Sequence, residues 1–347
     1  MTVFERSSAA SAASIRNFGM VWPIGQPAGE AHAIAMRSRG IWLDIANGAG
    51  IWANPCGSIN LANRDDEWDV LREFADVAPS LGYDCRLLTP GEIAELTDFA
   101  NPTGLIGGLH SPCELCVNPR KAIRDLPRWL ASRFGVRFEF GSAITGVGSG
   151  WAVASDGSRR EFDRIVVCGG ADFKTLFPDL CASSGLRRCK LQMLKVGPPA
   201  SGRLGPHLAS GLTLRHYGNF AACSGLPGLR DRIAAETPEL DEFGIHVMVS
   251  QNDEGDLILG DSHEYDSAVE PFDKAVIDDL ILRELRRVIR LPSWNVTERW
   301  HGIYAKHPTR SSYVAEPMPG VSIRSGVGGA GMTMAFGLAD RTWEEWS

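Results

Sequence analysis

The spacing of apolar positions divides the chain into a largely helical first part, a β-rich middle and a Gly-rich end. Trp68, Leu71, Arg72 and Ala75 recur at helical steps, and segments 30–53 and 66–80 are predicted helices. The stretches "CGSINLA" and "TGLIGGLHS" are bounded by Gly and Pro and predict short strands. Asn118-Pro119 predicts a helix start, with Asn118 as cap and Pro119 in the first turn, running through Trp129 and Leu130. Val136, Phe138 and Phe140 then alternate with Arg137 and Glu139, the pattern of a half-buried strand. "WAVAS", the turn Asp156-Gly157 and a return strand predict a hairpin. Ile165-Val166-Val167 is a continuous apolar run and predicts a strand buried on both faces, ending in Cys168-Gly169-Gly170-Ala171.

From about residue 189, "KLQMLKV", "GLTLRHY", "IHVMVSQ" and "GDLILGDS" predict antiparallel strands, with a hairpin turn at Asn252-Asp253-Glu254-Gly255. One helix is predicted among them, over 275–290. Its stripe is Val276, Ile277, Leu280, Ile281, Leu285, Val288 and Ile289, and Pro292 stops it. The last segment reads as a strand, "GVSIRS", a Gly-rich turn and an apolar helix.

Composition narrows the class. The 347 residues are 44% hydrophobic and 22% charged, with a net charge of -7, an ordinary globular balance with ample length for one large or two interleaved domains. Lys and Arg nowhere cluster with aromatics, which argues against a nucleic-acid surface. No apolar run approaches the ~20 residues that span a bilayer, and no secretory leader is evident. The expectation is a cytoplasmic protein with no membrane or nucleic-acid partner. Eight cysteines are scattered through the chain, so reduced thiols are expected. Cys113-Glu-Leu-Cys116 lacks a second ligand pair, so a plain loop is expected there and no metal.

Candidate chemistry gathers at the two ends. Thr2-Val3-Phe4 is a β-prone run ending on Glu5. In a dinucleotide-binding unit such an acid holds the ribose hydroxyls about 20 residues after a Gly-rich turn. Two GxGxx[GA] runs exist. Gly48–Ala53 follows a helical pattern and reads as a helix end. Gly326-Val327-Gly328-Gly329-Ala330-Gly331 lies between a strand and a helix, where backbone N–H groups and a helix N-terminus favour an anion. With 16 residues after Gly331, it cannot open a Rossmann βαβ unit.

Taken in order, Val3-Phe4-Glu5-Arg6, "SIRNFGM" at 14–20, "FDRIVVCGGAD" and "GVSIRSGVGGAGMTMAFGLA" resemble the D-amino-acid oxidase / glycine oxidase / sarcosine oxidase superfamily of FAD-dependent amine oxidoreductases. "RNFGMVWPIGQP", "LRHYGNF" and "GDSHEY" resemble a subgroup associated with phosphonate catabolism. The resemblance implies a mixed fold, α/β plus α+β. A Rossmann-like FAD-binding domain (1–54, 117–185, 321–347), with its first strand and helix absent, interleaves with an antiparallel-sheet substrate domain (55–116, 186–320). About 30 residues of Gly-rich strand, turn and helix are expected to be missing before Met1.

It also implies non-covalent FAD, since no cysteine follows Cys223, and hydride transfer to flavin N5 from the amine-bearing carbon of a small primary or secondary amine, an amino acid or an aminoalkylphosphonate. The rival reading is a flavin-free relative without activity. By resemblance Glu5 and Arg6 lie at the ribose, and Ser14, Asn17, Gly19 and Met20 pass the pyrophosphate and ring. Thr145 and Val147 lie near the adenine, followed by Cys168 and Gly169. Gly328, Gly329, Gly331, Met332 and Thr333 aim N–H groups at the flavin carbonyl edge. For the substrate's acid group, "RWHGIYAKHPTR" offers Tyr304, Lys306, His307 and Arg310, and a second cluster is Arg215-His216-Tyr217. Several donors suit a phosphonate better than one carboxylate fork. His216 and His307 are candidate proton acceptors, Tyr217 and Tyr304 candidate catalytic neighbours, and Trp22 a candidate pocket wall. His246 reads as a structural strand histidine, and His263 is left open between roles.

Overall fold

The computed structural model describes residues 1–266 and 269–346. The largest sheet draws strands from both the first part and the middle of the chain and runs Glu264–Asp266, Arg187–Val196, Leu257–Gly260, Met248–Gln251, His207–Ala209, Ser58–Ala62, Gly107–Ser111, Arg86–Leu88. Val296–Lys306 pairs with the free side of Arg187–Val196. Neighbours are antiparallel except His207–Ala209 with Ser58–Ala62. Helices Asp65–Val77, Leu226–Glu236 and Ala275–Val288 cover the sheet, and their apolar stripes join one core with Ile59, Leu109, Leu194 and Leu259. In the last of these helices Ile277, Leu280, Ile281, Leu285 and Val288 face inward, whereas Val276 is exposed.

The ends of the chain form smaller sheets. Thr2–Glu5 lies parallel to Arg137–Phe140. Ile165–Val167 lies parallel to Val321–Ser325, which also pairs with Tyr313–Met318. The meander Ile144–Gly148, Trp151–Ala154, Arg159–Glu161 stands beside them. Met20–Val21 and Ala53–Asn54 pair with the two sides of Leu115–Val117. Helices Glu30–Ala49 and Gly331–Glu344 pack on each other, so the C-terminal helix returns to the first long helix. Among the described residues no helix is long and apolar enough to cross a membrane.

Two sequence expectations are corrected. "GLTLRHY" is not a strand: Gly211–Arg215 is a 3-10 helix. Ser210 and Thr213 supply the reason, because Thr213 N–H and Oγ1–H both donate to the Ser210 carbonyl (3.0 and 2.7 Å). Such local bonds compete with a ladder. Leu212, Thr213 and Leu214 are all buried, so the alternation did not report a two-faced strand. The Ile165–Val167 strand is not buried on both faces. Val166 is 43% exposed, and among the described residues the strand pairs on one edge only. The turn Gly48–Ala53 is a helix end, with Gly50 in the left-handed region (φ 65°) that L-residues avoid.

Candidate active site

The segment after the first strand is a loop organised by its own side chains. Asn17 Nδ2 donates to the Ala13 and Ser14 carbonyls (2.9 and 3.0 Å), and its Oδ1 accepts the Gly19 N–H (2.8 Å). Gly19 has φ 75°, and a Cβ there would sit 2.0 Å from the Val117 carbonyl oxygen. Glycine therefore lets this loop close on the Leu115–Val117 strand. Met20 and Trp22 are buried behind it, and Ser14 is exposed. The Trp22 N–H donates to Thr333 Oγ1 (2.8 Å), and Trp42 Nε1–H donates to the Met332 carbonyl (2.8 Å). Two tryptophans thus fix the start of the C-terminal helix.

The Gly-rich turn sits against the end of the Val296–Lys306 strand. Lys306 forms an isolated bridge with Val327. A Cβ at Gly328 would lie 3.3 Å from Lys306 Cγ, and one at Gly329 would lie 3.5 Å from the Tyr304 hydroxyl. Tyr304 is buried opposite Cys189, and burial holds its phenol well above the usual range. Lys306 Nζ donates to the Tyr265 hydroxyl (3.1 Å) and lies over that ring.

Beside this strand end, three imidazoles stack. Ring centroids of His216 and His246 are 4.4 Å apart, and those of His246 and His263 are 4.8 Å apart. Tyr217 meets His246 edge-on, stacks on Trp22 and donates its hydroxyl to Met248 Sδ (3.2 Å). Asp261 lies beneath the stack, its Oδ1 3.3 Å from His246 Nε2 and its Oδ2 3.9 Å from His263 Nε2. Burial dominates the electrostatics. It lowers His216 and His246 well below the imidazole range, brings His263 to about 4 and raises Asp261 well above the carboxylate range.

The geometry treats the predicted residues unequally. The Arg215 guanidinium is consumed within the fold: Nη1 pairs with Asp241 (2.7 Å), Nη2 donates to the Ile245 carbonyl (2.9 Å) and Nε donates to His216 Nε2 (3.0 Å). Arg215 is thus not a free clamp, and the His216 lone pair is already engaged. His307 Nδ1 accepts the Thr309 and Arg310 N–H groups (3.2 and 3.1 Å), so it holds a turn, and Arg310 is exposed. Lys306, Tyr304, Tyr217 and Trp22 remain, grouped around the Gly328–Thr333 segment.

At the other end, Glu5 accepts the Ser7 N–H on Oε1 (2.8 Å). Arg6 pairs with Asp172 and shares with Gly169, Gly170 and Ser325 a cleft of about 30 Å³. Cys168 is exposed. Bonds from Ser142 N–H to the Glu5 carbonyl and from Gly141 N–H to the Ser7 carbonyl bring the meander alongside. There Thr145 is exposed and Val147 half-buried.

Two groups escaped sequence reading. Asp261 lay inside the quoted "GDSHEY", yet nothing local marks a buried carboxyl. Glu114 lies inside Cys113-Glu-Leu-Cys116 and is fully buried. Its Oε1 accepts the Ile24 N–H (3.1 Å) and its Oε2 the Ser58 hydroxyl (2.9 Å). Burial outweighs these bonds and raises it to about 7. Cys116 donates to the Gln251 carbonyl (3.3 Å).

The family described as DAO, FAD dependent oxidoreductase, matches residues 1–344. The chain belongs to the DAO family. Solved structures agree in fold. Glycine oxidase from Geobacillus kaustophilus is 16% identical, with TM-score 0.72, over 97% of this chain and 85% of that one. L-alpha-glycerophosphate oxidase from Mycoplasma pneumoniae, with FAD bound, is 14% identical, with TM-score 0.73, over 100% and 88%. Iminodiacetate oxidase from Chelativorans sp. BNC1 is 18% identical, with TM-score 0.66, over 96% and 85%. No curated protein matches the chain in sequence. This DAO-family chain is an FAD-dependent oxidoreductase, and the residues present fit the cofactor at both ends. Gly326 and Gly328 take φ 74° and 62°, conformations that L-residues avoid, in the turn that leads into the N-terminus of a 14-residue helix. At the other end Arg6, paired with Asp172, lines a cleft with a second glycine turn, Gly169-Gly170.

Proposed function

We propose that this enzyme oxidises a small primary or secondary amine that also carries an acidic group, an amino acid or an aminoalkylphosphonate. The observation that carries the reading is the placement of Lys306. Its stem packs against the Gly328 turn, its ammonium meets the Tyr265 phenol, and it makes no ion pair with a carboxylate among the described residues. Every donor of a lysine ammonium can serve a phosphonate or carboxylate oxygen. In this reading Tyr304, two residues before Lys306 on the same strand, and the stacked pair Trp22 and Tyr217 wall the pocket against water.

Bound FAD supplies the redox chemistry, accepting a hydride equivalent from the carbon next to nitrogen. The chain's own residues hold the substrate. Lys306 takes the acid group, and the Tyr304 hydroxyl faces Gly329 within reach of the same space. The flavin is non-covalent in this reading. Segments 1–54, 117–185 and 321–347 carry the cofactor half, and 55–116 and 186–320 the substrate half; Ser347 lies outside the described residues.

The test is a substrate panel: an aminoalkylphosphonate, an amino acid, a neutral alkylamine and glycerol phosphate. Lys306→Ala is expected to raise KM for the acidic amine by about tenfold or more, the worth of one charge-assisted hydrogen bond of ~1.5–3 kcal/mol. The neutral amine should lose far less. Equal losses on both would overturn the Lys306 assignment, and turnover of glycerol phosphate alone would overturn the amine reading.

A further inference from the structure

We propose that His246, Asp261 and His263 form a binding site for one divalent transition-metal cation, whichever amine the enzyme takes. The argument starts from lone pairs. The His263 Nδ1 lies 3.2 Å from the Gly244 carbonyl oxygen. A carbonyl only accepts, so Nδ1 carries the hydrogen and the Nε2 lone pair is free. That lone pair faces the Asp261 carboxyl at 3.9 Å. The His246 Nε2 stands 3.3 Å from the same carboxyl. Asp261 Oδ1 is buried and receives no hydrogen bond. The three groups therefore converge with Asp261 Oδ1 and His246 Nδ1 buried and without hydrogen-bond partners, and a cation bound in place of the carboxyl proton would draw on all three ligands.

The surroundings have the features of a metal site. An imidazole whose Nδ1–H is tied to a backbone carbonyl is oriented as metal-ligating histidines are, with the second nitrogen aimed inward. Backbone bonds also lock the ligands: Asp261 N–H donates to the His246 carbonyl (2.8 Å), His246 N–H donates back (3.3 Å), and His263 N–H donates to Phe243 (2.8 Å). One ligand atom from each residue lies within 4.8 Å of the others. Tetrahedral ligands at ~2.0–2.1 Å stand about 3.3 Å apart. The His246–Asp261 pair already has that spacing, and small rotations of the rings close the remainder. Two imidazoles and one carboxylate suit Zn²⁺, Fe²⁺ or Ni²⁺ rather than Ca²⁺ or Mg²⁺. Once the cation displaces the carboxyl proton, Asp261 supplies one negative charge to it, and Arg215 does not oppose this because Asp241 pairs with it. His216 stacks on His246 but gives its Nε2 to Arg215, so it is not a ligand.

The experiment is equilibrium dialysis of the chelator-treated, full-length flavoprotein against Zn²⁺ alone, with metal analysis of the retained protein. One Zn²⁺ per chain is expected. Asp261→Asn and His263→Gln should each weaken binding at least tenfold, while His216→Gln should not. X-ray absorption of the unmutated protein with Zn²⁺ covers the case in which a variant misfolds: an N/O shell with two imidazoles is expected. A sulfur shell, binding unchanged in both ligand variants, or no retained Zn²⁺ would overturn the site. The last result would mean that a proton alone occupies the carboxyl.

Discussion

Gly337→Ala is expected to cost about 3 kcal/mol of stability and to release flavin, although alanine is the better helix former by ~1 kcal/mol. Gly337 lies in the C-terminal helix where it crosses Glu30–Ala49. A Cβ there would sit 2.2 Å from the Ile34 carbonyl oxygen and 2.9 Å from Ile34 Cγ2. The Gly337 N–H also donates to Ser38 Oγ (3.2 Å). Neither neighbour is the far end of a flexible side chain, so the helices must separate. The displaced helix begins with Met332 and Thr333, whose contacts with Trp42 and Trp22 fix the glycine turn. Loss of stability and loss of flavin should therefore appear together. Gly40→Ala, in the facing helix, is the control: its Cβ would meet nothing within 4 Å, so stability should rise slightly. Urea melts and flavin absorbance per chain check both variants. If Gly337→Ala behaves like Gly40→Ala, the crossing is not what holds the turn.

The sequence made the elements legible where periodicity and turn chemistry agreed. The Asn118 cap accepts the Lys121 N–H, the Asp156-Gly157 hairpin pairs as expected, and the buried stripe of Ala275–Val288 faces the core. Periodicity failed at "GLTLRHY", where every side chain from Leu212 to Leu214 is buried and Ser210 diverts the backbone. At the candidate site, residue types were visible but their partners were not. Arg215 reads as a clamp until Asp241 and the Ile245 carbonyl, far along the chain, are seen to take its donors. His246 reads as a strand residue until the fold brings Asp261 and His263 to it. Whether a charge serves the fold or a ligand depends on long-range pairing, which local pattern does not encode.

Glu114→Gln should stabilise the protein at alkaline pH by roughly 3 kcal/mol and change little near pH 4. The group has no local sequence signal, yet it is fully buried between the loop bearing Trp22 and the Ser58–Ala62 strand. Burial raises its pKa from 4.5 to about 7. The sign follows from proton uptake. With the folded pKa raised, the folded state binds the proton more tightly, and the resulting stability is fully present below about 4.5. It is lost as pH rises through about 7, as the carboxylate ionises without water around it. A shift of this size corresponds to roughly 3 kcal/mol at ~1.4 kcal/mol per unit. Glutamine removes the ionisation while its oxygen can still accept the Ile24 N–H and its amide can donate to Ser58. The difference between variant and wild type isolates this group, because other carboxyls such as Asp172 cancel in the subtraction. Denaturant melts of both proteins at pH 5, 7 and 8.5 should show the gap widening with pH. A gap that stays constant would mean that Glu114 holds no proton in the folded protein and acts through its hydrogen bonds alone.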